Sequence, residues 1–571
     1  MTDFMRERFD IAADLREIGR RLAIKGANPF KAQAYERGAR ALENYGGEFD
    51  ALIKTGRLQD IPGIGSALAA LVEEIYQTGD CWILQQLRED MPPGVIELSA
   101  VPGLSLKKLA ALHDALGIES LADLKAACQA GLVAKVKGFG LKSQAKLLSD
   151  MESLAAPRNS SVLLNHALAL AERLLQHLRE GPEMIEADFA GALRRRQETI
   201  RRICIVAASH RPTAIIDRFL AFPALAHTDE LGEGRCLAQL SEGPSAEITV
   251  VPPENYVATL HSQTGSARHV AKLQDLASSK GMTLYPHSSN AGPSFTGEEQ
   301  IYRRLGVQYI PPEMREDEGE IELSSAGKLI PPVELADIRG MTHCHTVYSD
   351  GRNSIEEMAL AAEAMGMTYL TITDHSPSAH YAGGLSIDRL RAQWDEIDRV
   401  QQRVRIKLLK GTESDICADG SLDYPDHLLD KFDIIIASIH ARHKMDSASM
   451  TQRLLRAIKV PVFKIWGHPL GRLIGSRPPF ACDMDEVLDA IAASNCAIEV
   501  NGDPHRLDLE PGWIRAARTR GIKFIVSTDA HSIAGLSNLH YGVSAARRGW
   551  LTRDHVLNTL EAGDFVRAVH P

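Results

Sequence analysis

The last third of the chain is built from short apolar runs, each closed by a polar or ionisable residue and followed by an amphipathic stretch of helix length. YLTITD (369–374), DIIIAS (433–438), AIEV (497–500) and FIVSTD (524–529) are too short and too rich in β-branched residues to be core helices. Strands that alternate with helices pair in parallel. The pattern therefore predicts an α/β barrel whose polar strand ends gather at one rim, where such barrels place their chemistry.

A chain of 571 residues is too long for a single core, and three or four domains are expected. Residues 1–90 and 91–158 read as helical regions punctuated by glycine turns. Residues 159–312 mix helices with β-branched runs such as Ile203–Ala207 and Glu247–Val251. Residues 313–335 carry Pro331-Pro332 and a dense acidic run, and follow Pro311-Pro312. They read as a linker, because charge and proline both oppose a packed core. The barrel follows at 336–571.

No apolar run approaches the roughly 18 residues of a membrane span. The N-terminal MTDFMRERFDIAADL is charged, without an apolar signal core. The eight cysteines are scattered singly, without a CxxC pair, which argues against thiolate zinc and disulfide frameworks. A cytoplasmic monomer is the expectation. The formal net charge of −10 requires any nucleic-acid binding to come from local, backbone-directed elements.

Histidines and carboxylates cluster at the predicted strand ends. His343 and His345 form an HxH pair, and on a strand i and i+2 face the same side. Cys344 between them points away, into packing. Asp350 follows in YSDG, His375 after TITD, Glu413 in GTESD, His440 in SIHARH and His468 in WGHP. Asp529 and His531 form a DxH pair. Imidazoles and carboxylates together suit zinc, manganese or iron rather than a soft thiolate site. Two or three adjacent divalent ions on such a set would bind a phosphodiester and activate water. Asp374 reads as a carboxylate that orients a neighbouring histidine. Asp415, His443, Asp503 and His505 either contact substrate or lie on solvated loops. Arg442 and Arg472 are candidates for holding a phosphate.

These motifs, in this order, resemble those of the PHP (polymerase and histidinol phosphatase) family. The resemblance implies a distorted (βα)7 barrel and a trinuclear site on His343, His345, Asp350, His375, Glu413, His440, His468, Asp529 and His531. Glu413 would bridge two ions, and Glu413, His440 and Asp529 are the candidate catalytic members. Asp350 stands where some members of the family have histidine. Manganese or zinc is expected, and the donor set also admits iron.

The helical half carries three hairpin motifs. LQDIPGIGSALAALVEEI (58–75) sets Gly63 and Gly65 before a helix, AVPGLSLKKLAAL (100–112) has Gly103 and then Ser105, and KVKGFGLKSQAKLL (135–148) has Gly138 and Gly140 with added lysines. Glycines there let the backbone approach a phosphate, and the helix start offers free N–H groups. Each looks like a helix-hairpin-helix element, which binds DNA through its backbone without reading sequence. One copy alone is equally a packing unit; three favour DNA.

NPFKAQAYERGARALENY (28–45), FAGALRRRQETIRRICIV, AEITVV, TGSARHVAKLQDLA and EEQIYRRLGVQYIPPEMRED resemble, in order, the segments of family X DNA polymerases. The full chain thus resembles a bacterial family X DNA polymerase with an attached PHP domain. The expected fold class is multidomain: an all-α helix-hairpin-helix N-terminal region, an α+β nucleotidyltransferase-like palm with a thumb-like region, and the C-terminal PHP barrel.

The resemblance breaks at the palm. That family's two-metal site uses three carboxylates, two of them in a DxD pair. Here the pair is replaced by Arg202-Ile203-Cys204, Ala192 replaces a serine, and only Glu247 remains for the third carboxylate. A cation there repels the ions the reaction needs. The palm is expected to be a relic, either gripping DNA through Arg194–Arg196 and Arg201–Arg202 or presenting them as a solvated face. Leu71 occupies the place of the lysine nucleophile that some relatives use for deoxyribose-phosphate removal, so that chemistry is not expected. The leading expectation is a DNA repair nuclease, a 3′→5′ exonuclease with abasic-site or 3′-end processing in its scope. The alternatives are an active polymerase with proofreading and a non-catalytic DNA-end binding scaffold.

Overall fold

A computed structural model describes residues 8–569, apart from 27–28, 45–48, 55, 62, 92–93, 100, 102–103, 105, 156–160, 242 and 286–293. The chain divides into two compact units, residues 1–159 and 160–571.

The first unit is helical. Arg8–Ile24 and Pro29–Asn44 pack along each other, and Ser66–Thr78, Leu106–Leu116, Leu121–Gln129 and Leu141–Ala155 complete the main elements. Their apolar stripes meet in one core that includes Ile11, Leu15, Val72, Ile75, Leu84, Leu112 and Leu124. The hairpins share one local design. Ile64 N–H donates to the Ile61 carbonyl, Leu104 N–H to Val101, and Phe139 N–H to Val136. Each hydrogen bond closes the same tight turn before a helix. In the first and third turns a glycine takes the left-handed region, Gly63 at φ +94° and Gly138 at φ +95°.

The second unit begins with a five-stranded sheet in spatial order Glu186–Ala190, Arg202–Ala208, Ser245–Val251, Arg235–Leu240, Leu225–Leu231. The pair Arg202–Ala208 and Ser245–Val251 is parallel, and the other neighbours are antiparallel. A helical region follows around Tyr302, Leu305 and Ile321, and Trp550, from near the C-terminus, packs into its core.

The segment 313–335, expected as a linker, is instead packed structure. Arg315 is fully buried and donates to both carboxylate oxygens of Glu298, at 3.0 and 2.9 Å. Glu320, also fully buried, meets His269 Nδ1 at 2.6 Å, and Glu320–Ser325 is helical. The acidic run misleads because its charges find partners in the fold, Glu320 buried against His269 and Glu313 and Glu316 paired with Arg547 and Arg195, which composition alone does not reveal.

From residue 340, seven parallel strands follow in sequence order: Gly340–Met341, Tyr369–Ile372, Lys407–Asp415, Ile434–Ser438, Ile465–Trp466, Ala497–Asn501 and Lys523–Ser527. A parallel bridge between Cys344 and Ala530 joins the ends of the first and last, bringing the sheet to a nearly closed barrel. Strand alternation sorts the residues: Ile434, Ile436, Ile465 and Ile525 cluster with Phe565 and Val569, whereas Ile435 and Ala437 join the larger surrounding core. The helix Ala562–Val569 thereby plugs one end, its Phe565 ring stacked on Tyr369 at 5.0 Å between centroids. That leaves the opposite rim, at the strand C-termini, for the polar residues. Among the described residues no helix is long and apolar enough to cross a membrane.

Candidate metal centre and neighbouring sites

The rim gathers all nine predicted ligands. Glu413, one per cent exposed, stands at the centre. Its Oε1 lies 2.8 Å from His468 Nε2 and 3.1 Å from His440 Nε2. Its Oε2 lies 3.0 Å from His375 Nδ1, 3.5 Å from His343 Nε2 and 3.6 Å from His345 Nε2. The two oxygens thus face separate imidazole groups, the disposition of a bridging carboxylate. Three overlapping clusters could each hold an ion: His345, Asp350, His375 and His531; His343, His345 and Asp529; and His375, Glu413 and His440.

The donors fit divalent ions on two counts. His343 Nε2, both ring nitrogens of His345, and His375 Nδ1 are buried without hydrogen-bond partners among the described residues. Such atoms cost free energy unless something accepts their lone pairs or protons. The charge states suit at His345 and at the two central carboxylates, whereas burial at His343, His440 and His531 is outweighed by the surrounding carboxylates, which raise those rings, whose protons an ion would displace. Burial, with His531 and His375 beside it, lowers His345 to about 3, leaving a neutral imidazole with a free lone pair. Burial opposes ionisation of Glu413 and Asp529, yet the surrounding histidines outweigh it and hold both carboxyls well below their usual range. Cys344 is raised to about 12 by burial, so its thiol stays protonated and serves packing, as predicted.

The local backbone is specialised. Asp529 sits at φ +51°, a left-handed conformation that non-glycine residues adopt under constraint. Gly467, before His468, has no room for a Cβ: Ser438 Oγ and Ile436 Cγ2 occupy that place.

Several supporting residues escaped the sequence reading. Glu499 meets His343 Nδ1 at 2.6 Å and accepts the His468 backbone N–H. Asn501 donates to Asp529 Oδ2 at 3.2 Å. Asp415, expected either to contact substrate or to lie on a solvated loop, is instead buried and meets His440 Nδ1 at 3.1 Å. Arg506 Nε lies 3.4 Å from Asp529 Oδ2, while its Nε and Nη1 are buried without a hydrogen-bond partner among the described residues. Tyr381, 72% exposed, stands at the edge, its ring 6.2 Å from those of His375 and His440. A glutamate inside the apolar run AIEV was the one signal available for Glu499.

Three further sequence expectations change. Asp374 orients no histidine; it accepts from Thr346 N (2.8 Å), Thr346 Oγ1 (2.6 Å), Ser349 N (3.1 Å) and Gln393 Nε2 (2.6 Å), and so anchors the loop that leads to Asp350. Arg472 is buried and fully engaged: it donates to Glu198 at 2.8 Å and Glu510 at 2.7 Å and also to backbone carbonyls, which leaves nothing for a phosphate. Arg194 pairs with Glu298 at 2.7 Å and Arg195 with Glu316 at 2.8 Å, so neither is free to grip DNA. Arg196 is half-buried and Arg201 exposed. Arg442 is exposed, His443 is half-buried, and Asp503 pairs with His505 at 3.0 Å.

At the palm, Glu247 is clamped. Arg202 donates to its Oε2 and Arg235 to its Oε1, both at 2.7 Å. Cys204 pairs across the sheet with Glu247, and burial and that carboxylate raise its thiol to about 11. A protonated thiol and a doubly paired carboxylate do not make a magnesium site. In the first unit, Gly65 and Gly140 each precede a helix and face open space; Lys135, Lys137, Lys142 and Lys146 are exposed around the third hairpin. Leu71 is buried in the helix Ser66–Thr78. Gly103, with Ser105, lies outside the described residues.

Comparison with known proteins bears on each region. Residues 7–81 match the helix-hairpin-helix domain model and 95–150 the SAM-like helix-hairpin-helix tandem. Residues 259–316 match the DNA polymerase beta thumb, and 342–502 the PHP domain. The chain is 33% identical over 563 residues to the DNA polymerase/3′-5′ exonuclease PolX of Bacillus subtilis, covering 97% of this chain and 98% of that protein. It is also 30% identical over 230 residues to a probable phosphatase of Thermoanaerobacter sp., which covers 38% of this chain and 89% of that protein.

Proposed function

The chain belongs to the bacterial PolX family, the family X DNA polymerases with a C-terminal PHP domain, and from that premise we propose that it is a DNA repair nuclease whose palm has lost polymerisation. It is a metal-dependent phosphodiesterase, and its proposed reaction is 3′→5′ exonucleolytic hydrolysis, with abasic-site and blocked 3′-end processing in its scope. The observation that carries the reading is a contrast: nine donors converge at the barrel rim, eight of them in the three ion-sized clusters and His468 against Glu413, whereas the remaining palm carboxylate, Glu247, is neutralised by Arg202 and Arg235.

Two or three divalent ions, manganese or zinc, would polarise the phosphodiester and lower the pKa of water at this rim. His343, His345, Asp350, His375, Glu413, His440, His468, Asp529 and His531 would hold them, with Glu413 shared. Glu499 holds the His343 ring in its orientation through Nδ1. Tyr381 offers an exposed aromatic face beside the rim, suited to stacking a nucleobase of a single-stranded end. The hairpins would grip the DNA backbone at Gly63, Gly65, Gly103, Gly138 and Gly140 without sequence preference. We take the active form to be a monomer.

The test is a paired assay on one preparation with manganese: degradation of a 3′-recessed duplex, and nucleotide incorporation on the same duplex. We expect degradation that His343→Ala and Glu413→Ala abolish, and no templated extension. Degradation that survives both substitutions overturns the assignment. One observation favours a second reading, an active polymerase with PHP proofreading: the Bacillus subtilis relative is named for both activities. Robust templated extension would establish it.

A further inference from the structure

Glu198 lies in the palm region, directly before the short strand Thr199–Ile200, and its carboxylate is paired with barrel residues, with Arg548 Nη1 4.0 Å from its Oε1. It accepts from Arg472 Nη2 at 2.8 Å, across 274 residues of sequence. Arg472 belongs to the barrel, on the loop after His468, and is six per cent exposed. The rest of its guanidinium is bound to the next rim loop: Nε donates to the Arg506 carbonyl at 2.9 Å, Nη2 to the Leu507 carbonyl, and Nη1 to Glu510 at 2.7 Å. Beside this contact Arg548 Nη2 donates to Gln197 at 2.9 Å.

The loop that Arg472 holds carries Arg506. That guanidinium is ion-paired through Nε with Asp529 at 3.4 Å and Asp503 at 4.0 Å, and its Nε and Nη1 are buried without a hydrogen-bond partner among the described residues. Buried donors aimed at an anion-handling rim are suited to the non-bridging oxygens of a phosphodiester, which an arginine fork matches. The loop itself bends tightly: Arg506 N and Leu507 N donate to the Asp503 carbonyl at 2.8 and 2.9 Å, and Leu507 sits at φ +41°. A loop so bent keeps its place only while outside contacts hold it. Arg472 supplies two of them, and Glu198 supplies one of the two carboxylates that hold Arg472.

We propose that Glu198 is a positioning residue for the hydrolytic site: through Arg472 it fixes the 503–509 loop and sets Arg506 to receive the substrate's phosphate. This rests on the hydrolytic reading above. It gives the palm a present role as a strut for the barrel's phosphate anchor, independent of nucleotide chemistry.

The experiment uses full-length protein with manganese and two substrates, bis(p-nitrophenyl) phosphate and a 3′-recessed duplex. The small diester cannot span to the palm, so any effect of Glu198 on it must pass through the protein. Glu198→Ala is expected to raise KM for the small diester by about 2- to 30-fold with kcat largely kept, the range of measured coupling effects. Glu198→Gln, whose amide oxygen still accepts from Arg472, should restore most of the loss. Glu198→Ala/Arg472→Ala should be no worse than Arg472→Ala alone. In metal-free protein, amide hydrogen exchange over 502–510 should quicken in Glu198→Ala and not in Glu198→Gln. Should Glu198→Ala not fold, Glu198→Asp, one methylene shorter, carries the same test. Unchanged kinetics on the small diester, additive losses, unchanged exchange, or a defect confined to duplex DNA each overturn the strut. Activity surviving in His343→Ala instead overturns the hydrolytic reading itself.

Discussion

His343 and Glu499, 156 residues apart in sequence, meet at 2.6 Å with both side chains fully buried. Burial works against a charge on His343, and the carboxylates of Glu499, Asp529 and Glu413 outweigh it, holding the ring well above its usual pKa. Nδ1 is thereby committed to Glu499, and Nε2 is turned towards Glu413. Carboxylate partners of this kind fix ring orientation and raise ligand basicity. Glu499→Gln should weaken metal binding by about 10- to 100-fold and lower hydrolysis in step. Metal titration of the purified variant checks it; wild-type affinity would refute the role.

Glu298 is shared by Arg194 and the fully buried Arg315. Glu298→Gln leaves Arg315 buried without its counter-charge and should cost about 3–5 kcal/mol. Burial opposes the charge on Glu298, but the two guanidinium groups outweigh it and depress its pKa strongly. The sign follows: its contribution is complete above the unfolded value of about 4.3 and is lost as pH falls below it. Denaturant melts from pH 3 to 7 should show the parent losing stability on acidification and the variant losing less.

Asp508 behaves in the opposite sense. Fully buried, it is raised to about 7, chiefly by desolvation. A raised pKa means stability that is present below the unfolded value of about 3.9 and lost as pH rises through 7. Asp508→Asn should match the parent near pH 4 and exceed it by on the order of 1–3 kcal/mol at pH 8. Thermal melts across that window decide; parallel curves would contradict it.

Lys142 and Lys146 are exposed on the helix Leu141–Ala155, which follows the third hairpin. If both reach phosphates, Lys142→Ala/Lys146→Ala should flatten the dependence of log K on log salt by roughly 2. The loss should be uniform across DNA sequences. Fluorescence anisotropy at several salt concentrations measures the slope, and an unchanged slope would remove these lysines from the DNA surface.

What was legible in the sequence was local. Short apolar runs ending in polar residues announced the barrel strands, and the rim brings together the nine donors singled out there, eight of them in the three ion-sized clusters and His468 against Glu413. Glycines repeated before helix starts announced the hairpins, and the turns at Gly63 and Gly138 repeat each other within one degree of φ. These features depend on neighbours two to four positions away, so pattern alone reaches them.

What only the tertiary structure decided was pairing at a distance. Residues 313–335 read as a linker until Glu298 and His269 were brought to Arg315 and Glu320. Arg472 read as a phosphate holder until Glu198 and Glu510 occupied it. Glu499 and Arg506 carried no motif, and their meaning comes from His343 and Asp529 across the barrel. A charged side chain is soluble or buried according to its partner, and that partner is chosen by chain topology. The sequence by itself therefore determined which chemistry the rim could hold, and the fold decided which charges serve that chemistry and which hold the molecule together.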